Sequence, residues 1–168
     1  MKTIKGLLTI FALTITFAAA AAAQTFLTAL DGSRVDLDNQ RGKIVVLAVG
    51  AAWLPLSAKQ ADYTNMLVKK YAGKDVIFYF VATDSTNVKS KNFRETEDIR
   101  KFASANKLGV TVLRDSDGAI TLKKYSIDQV PSFLILDKNG KRVGEPFGGI
   151  DPKYDITVPI SKAIDRIL

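Results

Sequence analysis

The chain has 168 residues, of which 24 are Lys or Arg, 17 are Asp or Glu, and none is His or Cys. It therefore has no groups for a Ser-His-Asp triad, for an imidazole or thiolate metal site, or for thiol exchange of its own. The formal net charge of +7 comes from scattered basic residues without interleaved aromatic ones, which argues against nucleic acid as a partner. We predict no cofactor and no metal.

Residues 1–23 have the pattern of a secretory signal peptide, in which Lys2 and Lys5 precede an apolar stretch with an alanine-rich end. We predict cleavage before Gln24 and export, to the periplasm or the medium. Residues 24–168 are then one domain without a membrane segment, stabilised by packing alone because it has no Cys. The alternative is an uncleaved anchor, since the apolar segment approaches the roughly 20 residues that span a bilayer.

A β-hairpin and a strand-turn-helix unit are predicted next. Residues 25–30 and 33–37 flank Asp31-Gly32, a strong signal for a two-residue turn. Residues 44–49 are apolar and mostly β-branched, which is typical of a strand covered on both faces. Small residues then allow a turn, and Pro55 suits the first position of a helix that ends near residue 71.

The middle of the chain predicts a second buried strand and a helix. The apolar run 75–83 is followed by polar residues 84–87, which we place at the carboxyl edge of the sheet, where α/β proteins bind their ligands. Residues 90–107 contain a helix after a short loop. Its inward positions are Phe93, Ile99, Phe102 and Ala103.

A strand at 110–113, a turn at 114–118 and a short helix at 119–125 follow. Asp115, Asp117 and Gly118 in the turn faintly resemble a calcium loop. The further oxygen ligands and the distal Glu that such a loop needs are missing, so we interpret the segment as a plain turn.

The C-terminal part predicts a hairpin and a helix. Residues 133–136 are expected to turn back into residues 141–145 as an antiparallel strand pair. Residues 154–168 form the last helix, with Pro159 tolerated near its first turns. The apolar stripe of this helix consists of Ile156, Ile160, Ala163, Ile164 and Ile167.

Two blocks of the sequence match one family pattern. In the first, Gly42-Lys43, the strand 44–49, small residues and Trp53 stand in the order found in thioredoxin-like proteins. The chain resembles especially the secreted TlpA-like (redoxin) thiol-disulfide oxidoreductases, but Leu54 and Ser57 occupy the positions of their two cysteines.

The second block is Val130-Pro131-Ser132 with the apolar run after it, which resembles the segment that carries a cis-proline in this family. The resemblance implies an α/β fold, namely a thioredoxin-like three-layer sandwich whose central mixed β-sheet is flanked by helices, with an N-terminal β-hairpin extension. It also implies a cis peptide bond before Pro131, for which a trans proline at the start of a strand is the alternative. Ala48 departs from the family, because many thioredoxins have a buried acid there.

The resemblance and the missing cysteines together suggest the function. We predict a redox-inactive thioredoxin-like protein of the cell envelope, without catalytic residues, that binds polypeptide or an envelope protein by strand addition in an apolar groove. We call this the binding groove, and it comprises Trp53, Leu54, Pro55, Leu56, Val130 and Pro131. The groove would be closed if Leu54 and Leu56 turned inward.

Two other functions remain open on the sequence. One is an oxidoreductase by descent whose activity depends on the thiols of a partner. The other is a structural subunit of an envelope complex, which would bury the binding groove permanently.

Overall fold

The computed structural model describes residues 25–40, 42–151 and 153–168. The predicted signal peptide and its cleavage site lie outside these residues. Within them, no helix is long and apolar enough to cross a membrane.

The described part contains six strands that form one mixed sheet in the order β2-β1-β5-β4-β3-β6. The strands are β1 Phe26–Ala29, β2 Arg34–Asp36, β3 Ile44–Gly50, β4 Val76–Ala82, β5 Thr111–Arg114 and β6 Ser132–Leu136. Strands β3, β4 and β5 run parallel, whereas β1, β2 and β6 pair antiparallel with their neighbours. The predicted N-terminal hairpin is confirmed as β1 and β2, at one edge of the sheet.

Within the described ranges, four α-helices accompany the sheet, namely α1 Pro55–Lys70, α2 Thr96–Ala105, α3 Thr121–Tyr125 and α4 Thr157–Asp165. Each agrees with a predicted helix, although α4 is shorter than the predicted range 154–168. The end of α3 is marked by Ser126, whose φ of 53° lies in the left-handed region.

The two faces of β3 explain why its sequence is apolar throughout. Ile44, Val46 and Ala48 point into a core that contains residues of α1, α2 and α4. Val45 and Leu47 point into a second core, which contains residues of α3 and of the N-terminal hairpin. All seven residues of β3 are buried. The three-layer, thioredoxin-like arrangement with a central mixed sheet is thereby confirmed.

The predicted second strand of the C-terminal hairpin is wrong as a continuous strand. Residues 141–147 run antiparallel beside β6, but only the isolated bridges Leu136 to Arg142 and Phe133 to Phe147 form. Between them, Gly144 adopts a φ of 67°, and Pro146 has no N–H to donate. The segment therefore covers the edge of β6 without pairing regularly with it.

Candidate functional site

The site lies where β3 ends and α1 begins. The Leu54 N–H donates to the Ala51 carbonyl at 3.1 Å, which closes a tight turn after Gly50. Leu54 then caps α1 with extended backbone angles, φ −81° and ψ 126°, and Pro55 takes the first helical position. Proline fits there because the first N–H groups of a helix have no partner within the helix.

Ser57, at the second cysteine position of the family pattern, is completely buried. Its Oγ accepts a hydrogen bond from the Ala51 N–H at 3.2 Å. The hydroxyl therefore holds the turn in place, and no imidazole exists anywhere in the chain to activate it as a nucleophile. Leu54, at the first cysteine position, is half-buried and has no group that could react.

Gln60 connects the start of α1 to two strands. Its Nε2 donates to the Val49 carbonyl at 3.2 Å and to the Ser132 carbonyl at 2.8 Å. A Cβ on Gly50 would lie 2.3 Å from Gln60 Oε1, so glycine is required at the end of β3 for this close approach. The bond between Val130 and Pro131, directly before Ser132, is cis, as the family resemblance implies. The side chain of Gln60 thus joins the two sequence blocks that carry the resemblance.

Asp84 is a buried carboxyl group behind the turn, and it is not among the predicted residues of the binding groove. It is 0% exposed, and its Oδ2 accepts from the Ala52 N–H at 2.9 Å. Its Oδ1 has no hydrogen-bond partner among the described residues. Burial raises the pKa of this carboxyl, and outweighs the opposing effects of the Ala52 and Trp53 N–H groups and of the positive charge on Arg114.

A signal for Asp84 does exist in the sequence. It follows the apolar run of β4, and β3 and β4 are parallel neighbours in which Gly50 pairs with Ala82. A residue two positions after β4 therefore lies beside the residue two positions after β3. The predicted placement of residues 84–87 at the carboxyl edge of the sheet agrees with this position, but the burial of Asp84 was not predicted.

The residues of the binding groove differ in exposure. Trp53 is 37% exposed and Leu56 is 38% exposed. Pro55 is also exposed, Leu54 and Val130 are half-buried, and Pro131 is buried. Leu56 has therefore not turned into the core, whereas Val130 packs against the second core beside α3.

The acidic turn after β5 has a structural role. Asp115 accepts from the Thr121 N–H at 2.7 Å and from its Oγ1 at 2.6 Å, and so provides a partner for the first N–H group of α3. Asp117 Oδ2 accepts from Ser85 Oγ at 3.0 Å. No group of three or more acidic, His or Cys side chains suited to a metal ion occurs in the part of the chain that the structure describes.

Sequence comparison finds similar proteins in one family. The model of the AhpC/TSA family matches residues 18–142. A thiol-disulfide oxidoreductase ResA from Bacillus thuringiensis subsp. konkukian is 31% identical over 118 residues, which cover 70% of this chain and 62% of that protein. A protein of the same name from Bacillus anthracis is 26% identical over 121 residues, 72% of this chain and 64% of that protein. The chain therefore spans less than two thirds of the length of these relatives.

Solved structures with the same fold are also found. A thiol:disulfide interchange protein DsbE from Chlorobium tepidum superposes with a TM-score of 0.71 at 22% identity, covering 86% of this chain and 92% of that one. An exposed lipoprotein thioredoxin from Streptococcus pneumoniae gives a TM-score of 0.64 at 24% identity, covering 83% and 99% of the two chains. These likenesses agree with the thioredoxin-like fold described above.

Proposed function

Since this chain belongs to the AhpC/TSA family and contains no cysteine, we propose that it is a redox-inactive thioredoxin-like protein of the cell envelope that binds polypeptide in the binding groove. The resemblance to TlpA-like redoxins, first seen in the sequence, is confirmed by the family match and by the ResA relatives. The names of those relatives describe thiol-disulfide chemistry, for which this chain has no thiol.

Redox inactivity follows from what occupies the two cysteine positions. A dithiol reaction needs one thiolate to attack a disulfide and a second thiol to resolve the mixed disulfide. Leu54 can do neither, and the Ser57 hydroxyl is buried and bonded to the turn. A partner would have to supply every thiol in such a reaction.

The observation that carries the binding proposal is the exposure of Trp53 in the turn and of Leu56 at the start of α1, beside a set of buried hydrogen bonds. Ser57 bonds to the turn and Gln60 ties the start of α1 to β3 and β6, while the two large apolar side chains face solvent. A rigid apolar surface with an aromatic residue is typical of the centre of a protein interface. An extended polypeptide could add main-chain hydrogen bonds beside it, and this needs no thiol.

Binding can be measured through Trp53, which is the single tryptophan of the chain. A carboxymethylated, permanently unfolded polypeptide should change the Trp53 fluorescence in a saturable way. Leu56→Asp should weaken this binding roughly fivefold or more, as expected for the loss of about 1 kcal/mol or more at the centre of an interface.

Met66→Asp is the matched control, because Met66 lies on the same helix and is 50% exposed. It should bind like the wild type. Equal weakening by both variants, or no saturable signal, would rule out the binding groove as the binding surface. If the wild-type protein elutes from a native extract only as part of a fixed assembly, the structural-subunit function is favoured instead.

A further inference from the structure

A cleft of about 510 Å³ lies between the C-terminal end of α1 and one side of α4. It is separate from the binding groove, because Lys70 and Pro55 stand at opposite ends of α1. Neither the family resemblance nor the proposed function assigns it a role. The cleft is lined by Lys70, Thr157, Val158, Ser161, Lys162, Asp165 and Arg166.

The charged groups of the cleft are mainly cationic. Lys70, Lys162 and Arg166 contribute three positive charges and Asp165 one negative charge, which leaves two positive charges in excess. Within the described ranges, none of the three cations has a carboxylate oxygen within 4.0 Å. The ammonium group of Lys70 lies 5.5 Å from the centre of the Tyr71 ring.

The single carboxylate is already hydrogen-bonded. The Tyr71 hydroxyl donates to Asp165 Oδ1 at 2.6 Å and contacts the Ser161 carbonyl at 3.1 Å. Burial and the Asp165 carboxylate raise the pKa of Tyr71 to about 12, so the hydroxyl keeps its proton at neutral pH. Asp165 is therefore tied to the wall of the cleft, while the three cations have no such partner in the described part of the chain.

The buried Ser161 hydroxyl is a second feature of the cleft, independent of its charge. Its side chain lines the cleft and is only 3% exposed, yet its Oγ has no hydrogen-bond partner among the described residues. Buried hydroxyl groups are normally hydrogen-bonded, because an unpaired one loses its bonds to water without replacement. Basic residues near helix C-termini offset the helix dipole, which accounts for Lys70 and Lys162. The helix dipole does not account for the Ser161 hydroxyl, which has no partner among the described residues.

We infer that the cleft binds the phosphate group of a small organic phosphate. Two ammonium groups and a guanidinium can donate charge-assisted hydrogen bonds to phosphate oxygens, and the Ser161 hydroxyl can add another. The cleft has the volume of a typical small-molecule site, which leaves room for an organic part beside the phosphate. Val158, which is 64% exposed at the edge of the cleft, offers an apolar contact for that part.

The test is a titration of the mature protein with glycerol 3-phosphate, followed by NMR of the backbone amides at low salt. The amide signals of α4 and of the end of α1 should shift and saturate. Lys162→Ala with Arg166→Ala should weaken binding about tenfold or more. Ser161→Ala, which leaves every charge in place, should weaken it about threefold or more. Asp165→Asn should strengthen it, because it removes the one repelling charge.

The matched control is Lys69→Ala with Lys74→Ala, which removes the same charge from exposed positions outside the lining of the cleft. It should change the affinity less than about twofold. An equal loss of affinity in both double variants would show diffuse electrostatic attraction and would overturn the inference of a specific site. An unchanged affinity in the Ser161→Ala variant would overturn it as well.

The phosphate could belong to a free metabolite or to a phospholipid headgroup. Sedimentation with vesicles of phosphatidylglycerol in phosphatidylcholine distinguishes them. A phospholipid headgroup is supported if the variants co-sediment with the vesicles in the same order as their affinities for glycerol 3-phosphate, and if glycerol 3-phosphate reverses the co-sedimentation. Saturable binding of glycerol 3-phosphate without co-sedimentation supports a free ligand. If neither probe binds, the inference is wrong, and the proposed function is unaffected because it rests on the binding groove.

Discussion

The Asp84 carboxyl group combines complete burial with an oxygen that has no hydrogen-bond partner in the described ranges. Its other oxygen accepts from the Ala52 N–H and thereby holds the turn before α1. A buried, ionised carboxylate is costly unless its charge is well compensated. Protonation removes that cost without breaking the bond to Ala52, since a neutral carboxyl group still accepts through its carbonyl oxygen.

The stability of the fold should therefore depend on pH through this group. Because the pKa of Asp84 is raised in the folded protein, its contribution to stability is complete below the unfolded pKa and is lost as pH rises through the folded pKa. Asp84→Asn removes this dependence. Urea denaturation should show that the free energy of unfolding of the variant, relative to that of the wild type, is higher at pH 7 than at pH 4.

Asp62→Asn removes one carboxylate from an exposed position of α1 and serves as the control for the lost charge. If the stability of the Asp84→Asn variant, relative to the wild type, changes with pH no more than that of the Asp62→Asn variant does, then the pKa of Asp84 is not raised in the folded protein.

The individual residues of the site were predictable from sequence where a local pattern determines them. Trp53, Leu54 and Ser57 lie at the start of a helix because the strand, the small residues and Pro55 come in a fixed order along the chain. The burial of Asp84 was not predictable in the same way. It depends on which strand lies beside β3, and that neighbour is far away in sequence.

Among the helices and strands, those with a clear pattern of apolar residues were predicted best. Strand β3 is apolar on both faces, and α2 carries Ile99 and Phe102 three residues apart on its inner side. The predicted strand 141–145 does not form as a regular strand, because its course depends on Gly144 in the left-handed region and on contacts with β6. The periodicity of apolar residues carries no information on the backbone conformation of a glycine or on contacts with a neighbouring strand.

The unit of β3, turn and α1 should still support a dithiol if cysteines are restored. Leu54 caps the helix and Ser57 lies three residues later, with its N–H bonded to the Leu54 carbonyl at 3.0 Å. Side chains three apart on a helix are neighbours, and the helix N-terminus favours a thiolate by about 0.3–1 kcal/mol. The double variant Leu54→Cys, Ser57→Cys should form an intramolecular disulfide and reduce insulin weakly, measured by turbidity.

Ser57→Cys alone should form no such disulfide and should not turn over. Wild-type protein that reduces insulin without a partner would contradict redox inactivity. A folded double variant that retains two free thiols after oxidation would show that Leu54 and Ser57 are not equivalent to the cysteines of the family. Circular dichroism controls for folding, because replacing the half-buried Leu54 costs stability.

At the scale of the fold, two apolar cores on opposite sides of one sheet stabilise the described part of the chain without a disulfide. The three-layer arrangement was predictable because the order of elements and the two family blocks agree. The position of the cleft was not predictable, nor was that of the Ser161 hydroxyl, which has no hydrogen-bond partner among the described residues, since both arise where α1 and α4 approach each other.

The envelope location in our proposal depends on the N-terminal segment. Expression of the full chain in a bacterial host with a periplasm should yield a mature protein that begins at or near Gln24, as measured by intact mass. The alanine-rich end before this residue is the reason, because signal peptidase cleaves after small residues. A product that retains Met1 and stays with the membrane fraction would favour the anchor instead.

Gln60 and Ser57 shape the turn with an amide and a hydroxyl, neither of which changes with the redox potential of the surroundings. A turn held by a cysteine pair has two chemical forms, whereas this one has a single form. Its affinity for a ligand should accordingly be the same in glutathione buffer and in air. The absence of any native thiol also means that one engineered cysteine would be a unique attachment point for a dye or spin label, which makes the protein a convenient scaffold for distance measurements.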